Sequence, residues 1–201
     1  MKHHERRRRE KQELRRQILL AARKIAAADG WQSVTIRKIA DYVEYSPAAI
    51  YEYFESKEAI LLALMDEGFR AMMAELESLR VTETSRVSYL LAIGQAYWRF
   101  AWQHPELYQI MHGLGGVPFG TAEAPREAKK LFDFVKQAVR AAREELGISA
   151  PVTDEMIEIV WATLHGLVSL SMSGRIPTAH WAQTTPLVEQ AMQQLINGWR
   201  T

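Results

Sequence analysis

Two helix-start signals that follow each other closely constrain this chain most strongly. Thr35, an N-cap residue type, precedes a short run whose apolar side chains recur at spacings of three and four. Ser46 followed by Pro47 is a second start signal, because a hydroxyl caps a helix and proline suits its first position. Ile50 and Phe54 are four residues apart and are expected to pack inward. The sequence therefore predicts two short amphipathic helices joined by a turn.

The outward side of the second helix is predicted to be small at its start and aromatic further on. Small side chains let a helix start approach base edges in the major groove, and tyrosine hydroxyls reach phosphate oxygens. We therefore predict a DNA-reading helix-turn-helix at about residues 35–54. The same pattern also occurs in helical proteins that bind nothing. The candidate DNA-binding residues are Thr35, Arg37, Tyr45, Ser46, Pro47, Ala48, Ala49, Tyr51, Tyr53 and Lys57.

The N-terminal third resembles the TetR-type bacterial transcriptional regulators. The matching elements are ILLAARKIAAADGWQSVT, TIRKIADYV, IYEYF and SKEAILLAL, within about residues 12–73. The resemblance implies that Thr35 caps the first reading helix on a phosphate and that residues 46–49 face bases. It also implies that Tyr51, Tyr53 and Lys57 hold the DNA backbone.

Three residues depart from the family pattern. Glu44 stands where the turn usually has glycine, so either this residue adopts a left-handed conformation or the turn differs. Tyr45 replaces a small aliphatic residue. Glu52 brings a carboxylate to a helix that meets a polyanion, and it either points away from DNA or accepts from a cytosine amino group. These departures concern the operator sequence, not the fold.

Charge is distributed unevenly along the chain. Residues 1–57 hold thirteen Lys and Arg against eight Asp and Glu, a net +5, whereas the remainder holds twelve against sixteen, a net −4. Such a separation orients a protein on DNA and makes its affinity salt-dependent. Arg6 to Arg9 precede any apolar periodicity and are expected to form a disordered arm. That arm either lies in the minor groove or is a solvated charge run.

Composition excludes several classes of function. The chain has no cysteine, which rules out disulfides and thiolate chemistry. No apolar run reaches the roughly 20 residues that a membrane span needs, so we expect a cytoplasmic protein without membrane contact. Metalloprotease, nucleophile-elbow and phosphate-loop motifs are absent from the sequence. We therefore expect no catalytic residues, no metal and no cofactor.

Helical periodicity continues to the C-terminus without strand alternation, which predicts an all-α chain. We expect a three-helix DNA-binding domain over residues 11–71. A larger helical domain over residues 72–201 is expected to bind a ligand and to dimerise.

Aromatic residues concentrate in the second domain, and such side chains line pockets for planar or greasy molecules. They are equally typical of plain core. On α-helical spacing, Phe132 and Val135 are expected to face inward. His112 and His165 are either ligand contacts or core histidines. The candidate ligand-binding residues are Trp98, Trp102, Met111, His112, Phe119, Phe132, Val135, Trp161 and His165.

The last predicted helix, over residues 186–199, has apolar groups on more than one face, and small residues keep the helix before it narrow enough for close crossing, which together indicate a second copy of the chain. The segment 161–175 is similar to the Trp-His-Gly element of one subgroup of the same regulators. The family resemblance implies a four-helix bundle around a two-fold axis. The candidate interface residues are Leu167, Leu170, Leu187, Ala191, Leu195 and Trp199.

The sequence thus predicts a transcriptional regulator that binds a pseudo-palindromic operator in double-stranded DNA as a homodimer. The main hypothesis is a repressor released by a small apolar or aromatic effector. The alternative is a DNA-binding structural or division-control protein that needs no ligand.

Overall fold

The computed structural model describes residues 2–79, 85–114, 126–176 and 185–200. All regular secondary structure within these ranges is helical, which confirms the predicted all-α class. A 3₁₀ turn at Trp31–Ser33 separates the first two helices. The α-helices are α1 (Lys2–Asp29), α2 (Ile36–Val43), α3 (Pro47–Tyr51), α4 (Lys57–Ser78), α5 (Arg86–Gln103), α6 (Pro105–Met111), α7 (Arg126–Glu145), α8 (Asp154–Met172) and α9 (Thr185–Gly198).

Helix α1 begins further upstream than the sequence indicated. The prediction of a disordered arm at Arg6 to Arg9 is wrong, because these residues lie inside α1. Arginine, lysine and glutamate are good helix formers, and the Arg6 Nε lies 3.4 Å from the Glu10 Oε1 one turn away. No residue from His4 to Glu13 is buried, and Leu14 is the first core residue of the helix. The α1 start therefore projects beyond the side chains that anchor the helix.

The described helices form two compact units. Unit 1 contains α1, α2, α3, the first part of α4, and α6. Its apolar core is completely closed to solvent at several positions, since Ile18, Ile39, Ile50, Ile60 and Leu64 each have 0% exposure. Burial of such side chains contributes roughly 1.5–3 kcal/mol each. This core fixes the orientation of the two short helices that follow α1.

Helix α6 belongs to unit 1, although it follows α5 in the chain. A charge cluster connects it to the other helices of the unit. The Arg23 guanidinium lies 2.8 Å from Glu106 and 3.2 Å from Glu67. The Trp31 Nε1 donates a hydrogen bond to the Glu106 carbonyl oxygen at 3.0 Å. The division predicted at residues 71 and 72 assigned α6 to the second domain, whereas these contacts group it with the first helices.

A glycine on α4 brings α6 into close packing. A Cβ atom at Gly68 would lie 2.6 Å from the Met111 Sδ and 2.9 Å from its Cγ. Real Cβ atoms do not approach other atoms so closely, and Met111 has 0% exposure and little room to move. The methionine thus occupies a notch that only glycine leaves open.

Unit 2 contains the rest of α4, together with α5, α7, α8 and α9. Helix α5 packs against all three of the later helices. Val188, Met192 and Ile196 recur every four residues on α9 and are fully buried. A Cβ atom at Gly94 of α5 would lie 2.9 Å from the Met192 Cγ, so α5 and α9 also cross at a glycine notch.

The inward side of α7 differs from the sequence expectation. Phe132 and Val135 were expected to face inward, but both are only partly buried. Phe134 is 8% exposed instead and meets the Tyr89 ring edge to face, with 6.5 Å between ring centroids. The buried face of α7 contains Leu131, Phe134 and Ala138. The helix has apolar residues on more than one side, and the helices that pack against it determine which of them are buried.

Polar contacts hold the ends of α5 and α7 together. The Glu145 carboxylate accepts hydrogen bonds from the Ser85 Oγ and the Arg86 backbone N–H, both at 2.6 Å. These bonds hold the pKa of Glu145 below its ordinary value, the Ser85 bond being the largest cause. Arg143 is 5% exposed and donates to the Pro151 carbonyl at 3.1 Å, which secures the connection from α7 to α8.

Candidate nucleic-acid interface

Helix α2 starts at the predicted cap. The Thr35 Oγ1 accepts a hydrogen bond from the Lys38 N–H at 3.1 Å, and Thr35 itself has an extended backbone. Ile39 and Ala40 are fully buried against α1, while Thr35 and Arg37 are exposed. The cap costs about 1 kcal/mol when it is lost, so it defines where the helix begins. The N-terminus of α2 and the Arg37 side chain are therefore open to a partner.

The turn after α2 has a left-handed residue at Glu44, with φ 60° and ψ 38°. The structure thus confirms the first of the two expectations for this position. The Tyr45 N–H donates to the Ala40 carbonyl at 3.0 Å, and the Glu44 N–H is 3.4 Å from the Asp41 carbonyl. This pair of bonds closes the helix in a Schellman arrangement, in which the residue at Glu44 is normally glycine. The turn thus has a geometry that usually takes glycine, with a glutamate in its place.

Helix α3 starts at Ser46 and Pro47 as predicted. The Ser46 Oγ accepts from the Ala49 N–H at 3.2 Å, and proline occupies the first turn. Ile50 and Phe54 are buried at 0% and 5% exposure, which confirms their inward packing. The α-helix itself ends at Tyr51, and helical hydrogen bonds to the Ile50 carbonyl carry the chain on to Phe54.

The outward side of this segment is small first and aromatic next. Ser46, Pro47 and Ala48 are exposed, and Ala49 is partly buried. Tyr45 and Tyr51 are 49% and 54% exposed. Tyr53 and Lys57 are partly buried. The candidates at the start of α3 are thus open to solvent, and their roles towards DNA stay predictions.

Ring contacts add three candidate DNA-binding residues that the sequence analysis did not name: Lys11, Arg15 and Tyr42. The Lys11 Nζ lies 5.8 Å from the centre of the Tyr53 ring, and the Arg15 Cζ lies 4.8 Å from that of Phe54. Tyr42 is 51% exposed beside Lys24, whose Nζ is 5.6 Å from the ring centre. Cation–π contacts of this kind contribute about 0.5–1 kcal/mol at exposed sites. Tyr42 could have been found, because it lies outside the apolar spacing of α2.

The predicted ligand residues are distributed over both units. Trp98 is 2% exposed and Trp102 is partly buried, with 5.8 Å between their ring centroids. Trp161 is 47% exposed and stacks on His165 at 5.6 Å. In unit 1, Met111 is buried in the Gly68 notch and His112 packs on the Tyr108 ring at 4.5 Å. Phe132 and Val135 are partly buried on α7, and Phe119 lies outside the described residues.

Three buried side-chain polar atoms of unit 2 lack a hydrogen-bond partner within the described ranges. They are the Trp102 Nε1 on α5, the Arg143 Nε on α7 and the Ser171 Oγ on α8. A buried polar group without a partner costs about 1–3 kcal/mol. His165, nearby in sequence on α8, has the Ser169 Oγ 3.3 Å from its Nε2, and burial lowers its pKa.

The predicted interface residues lie on the outer parts of α8 and α9. Leu170 is 40% exposed. The other five candidates are partly buried: Leu167, Leu187, Ala191, Leu195 and Trp199. Ile159 is 55% exposed and shares a side of α8 with Leu170. A Cβ atom at Gly166, between them, would meet nothing within 4 Å. Helix α8 thus presents an apolar and partly flat side.

Within the part of the chain that the structure covers, no helix combines the length and apolarity needed to span a membrane. The same part contains no group of three or more histidine, aspartate or glutamate side chains arranged for a metal ion.

The capped helices, the closed turn and the small outward face of α3 define a helix-turn-helix protein. The chain matches the family model "Bacterial regulatory proteins, tetR family" over residues 18–64. It also matches "Tetracyclin repressor-like, C-terminal domain" over residues 90–195, more than half of its length. The chain therefore belongs to the TetR family of bacterial DNA-binding transcriptional regulators. The resemblance to the Trp-His-Gly subgroup stays a prediction.

Individual relatives resemble the chain in sequence or in fold. The nucleoid occlusion factor SlmA of Vibrio vulnificus is 26% identical over 140 residues, which cover 68% of this chain and 71% of SlmA. A protein of unknown function from Rhodococcus sp. RHA1 is 26% identical, with a TM-score of 0.77 and coverage of 92% and 94%. The regulator FadR from Bacillus subtilis, solved with stearoyl-CoA, has a TM-score of 0.74 at 16% identity and coverage of 90% and 97%. The last likeness concerns the fold alone.

Proposed function

We propose that this chain is a repressor that binds a pseudo-palindromic operator as a homodimer and is released by a small apolar or aromatic effector. The observation that carries the DNA-reading part is the exposed start of α3. Ser46, Pro47 and Ala48 are exposed there, and Ile50 anchors the same helix in the core. A short, rigidly anchored helix with small leading residues can bring its backbone to base edges.

The aromatic residues around α3 supply the phosphate contacts in this proposal. Tyr45 and Tyr51 are exposed on either side of the helix start, and Lys57 begins α4 close by in the chain. Hydroxyl and ammonium groups that donate to phosphates fix the register of a protein on the duplex. Base identity would then be read by few long side chains, so DNA shape contributes to operator choice.

The homodimer is proposed from the outer side of α8. Ile159 and Leu170 are exposed apolar side chains, and Gly166 leaves open space between them. Two copies of this side can approach closely around a two-fold axis, because small residues permit close helix crossing. Leu187 and Leu195 on α9 are partly buried and would extend the same contact. Such a dimer presents two copies of α3 to two half-sites.

The effector is proposed to bind within unit 2. Support comes from the paired Trp98 and Trp102 rings and from two of the three buried polar atoms without a partner in the described residues, the Trp102 Nε1 and the Ser171 Oγ. Apolar pockets with few polar groups suit planar or greasy ligands. For release, the effector must favour the arrangement that does not fit the operator, by several kcal/mol of differential affinity.

DNA reading is tested by fluorescence anisotropy with duplexes from the region upstream of the gene for this chain. Ala48→Glu places a carboxylate on the exposed start of α3 and is expected to weaken binding at least tenfold, about 1.4 kcal/mol. Ala27→Glu adds the same charge at an exposed position of α1 and serves as the control. Equal losses in both variants would contradict the proposed reading face.

Effector binding is tested with a panel of aromatic compounds and long-chain acyl-CoA esters. Stearoyl-CoA is included because a protein of this fold binds it. A compound that releases wild-type protein from DNA should act more weakly on Ser171→Ala, whose DNA affinity without effector is unchanged. If Ser171→Ala only raises thermal stability and responds normally, the hydroxyl has no role towards the effector.

A second candidate function is suggested by the SlmA match. SlmA is described as a nucleoid occlusion factor, and it covers both units of this chain in part. Under this alternative the chain is a DNA-binding structural or division-control protein that needs no effector. Tight DNA binding that no panel compound disturbs, with many binding sites spread over the chromosome, would favour it over the repressor.

A further inference from the structure

The start of α1 has a basic side that the reading motif does not account for. His4, Arg8, Lys11 and Arg15 are separated by four, three and four residues, so they lie along one side of the helix. All four are exposed. We call these four residues the basic stripe. At 1.5 Å per residue the stripe is roughly 16 Å long.

Two of the three carboxylates of this part of α1, Glu10 and Glu13, lie on the other side of the helix, and Glu5 lies at the border between the two sides. The Glu10 Oε1 is 3.4 Å from the Arg6 Nε, and the Glu13 Oε1 is 2.8 Å from the Arg16 Nη2. Within the described residues no carboxylate pairs with Arg8, Lys11 or Arg15. Two arginines on the other side, Arg6 and Arg16, are therefore paired with carboxylates, whereas the basic stripe keeps its positive charge.

The stripe ends beside the reading motif. Lys11 lies over the Tyr53 ring and Arg15 over the Phe54 ring, at 5.8 Å and 4.8 Å from the ring centres. Tyr53 is one of the predicted phosphate contacts. These ring contacts place the C-terminal end of the stripe next to the proposed DNA-binding residues of unit 1. From there the stripe runs along α1 towards Arg8, away from α3.

We propose that the α1 start is a second DNA contact, in which Arg8 and Lys11 bind backbone phosphates outside the half-site read by α3. This inference rests on the proposed DNA-reading function. An α-helix with its side chains is about 10–12 Å wide, whereas the minor groove is about 6 Å wide. A helical segment therefore lies across the phosphates and does not enter the groove. The contact extends the footprint and adds no base specificity.

The size of the effect follows from counterion release. Each phosphate contact adds about 0.9 to the slope of log affinity against log salt. Two contacts in each protomer make the slope about 1.8 steeper per protomer. Over a fourfold rise in salt, from about 50 to 200 mM, this corresponds to roughly a tenfold greater loss of affinity per protomer.

The test compares two double variants of equal charge by anisotropy over a salt series. Arg8→Gln with Lys11→Gln removes the stripe, and Arg6→Gln with Arg16→Gln removes the same charge from the opposite side. Glutamine keeps helix propensity, so circular dichroism should be unchanged in both. The probe is a duplex from the upstream region that wild-type protein binds, and it is used in two lengths. The short duplex contains only the region that the stripe variant protects from hydroxyl radicals. The long duplex keeps the native flanking sequence.

The stripe variant should lose about 1.8 units of salt slope per protomer and the outermost protected backbone positions, and it should no longer distinguish the two duplexes. The opposite-side variant should keep most of the wild-type slope and the full footprint. Equal losses in both variants would mean a diffuse charge effect and would overturn the proposal. An unchanged footprint in the stripe variant would also overturn it. Failure of wild-type protein to bind any upstream duplex would instead refute the proposed function itself, and this inference with it.

Discussion

Replacement of Glu44 by glycine is predicted to stabilise the protein. Glu44 is exposed and has φ 60° and ψ 38°, and it forms no described ion pair. A residue with a Cβ atom pays about 1–2 kcal/mol in this conformation. Glycine avoids that cost but loses more conformational entropy on folding, about 0.5–1 kcal/mol. The expected net gain is about 0.5–1 kcal/mol.

The matched control is Glu44→Ala, which removes the same carboxylate and keeps the Cβ atom. Equilibrium unfolding in urea should place Glu44→Gly above wild type, with an unchanged dependence on denaturant concentration. Its thermal midpoint should rise by a few degrees, since 1 kcal/mol corresponds to about 2–4 °C in a chain of this size. Glu44→Ala should stay within about 0.5 kcal/mol of wild type.

DNA binding provides the second measurement on the same variants. Both remove a negative charge close to the reading motif, so both should bind DNA slightly more tightly, and to the same degree. If Glu44→Gly is no more stable than Glu44→Ala, the left-handed residue carries no strain. An energetic cost of glutamate at this position of the turn would then be excluded.

The remaining predictions concern packing, assembly and pH. Gly68→Leu should lower stability by about 1–3 kcal/mol in urea unfolding, because the notch filled by Met111 has no room, and adding Met111→Ala should restore part of the loss. Leu170→Glu should shift the mass measured by light scattering towards the 23.0 kDa monomer. The control variant Leu62→Glu, at an exposed site of α4, should leave the mass unchanged. A dimer that persists in Leu170→Glu would exclude this side of α8 as the dimer interface. His165 has a lowered pKa in the folded chain, so the unfolded chain binds more protons as pH falls through the ordinary value of 6.5, and stability should decrease there. His165→Gln should weaken that decrease, and an identical acid-side profile in both proteins would contradict the assignment.

Local signals in the sequence predicted the reading motif well. The caps at Thr35 and Ser46 and the inward pair Ile50 and Phe54 depend only on residues a few positions apart. Their hydrogen bonds and packing therefore follow from the local pattern. The left-handed Glu44 was one of two stated possibilities, and the helix-ending bonds decide between them.

Features that depend on distant residues were not accessible in this way. The grouping of α6 with unit 1 relies on Arg23 and Glu106, which are 83 positions apart. The rotation of α7 depends on which helices cover it, and periodicity alone did not separate Phe132 from Phe134. The ligand-binding and interface residues stay predictions, because a partner molecule defines them and not the chain alone.

The methionine in the Gly68 notch also makes this molecule suitable for chemical labelling. Met111 is fully buried, so hydrogen peroxide can convert its thioether to the sulfoxide only when α6 moves away from α4. Met73, which is partly buried on the same helix as Gly68, is an internal reference for reagent access. The ratio of oxidation at the two positions, read by mass spectrometry, would measure how often the α6 contact opens in solution. A single natural side chain thus serves as a built-in reporter, with no probe added to the protein.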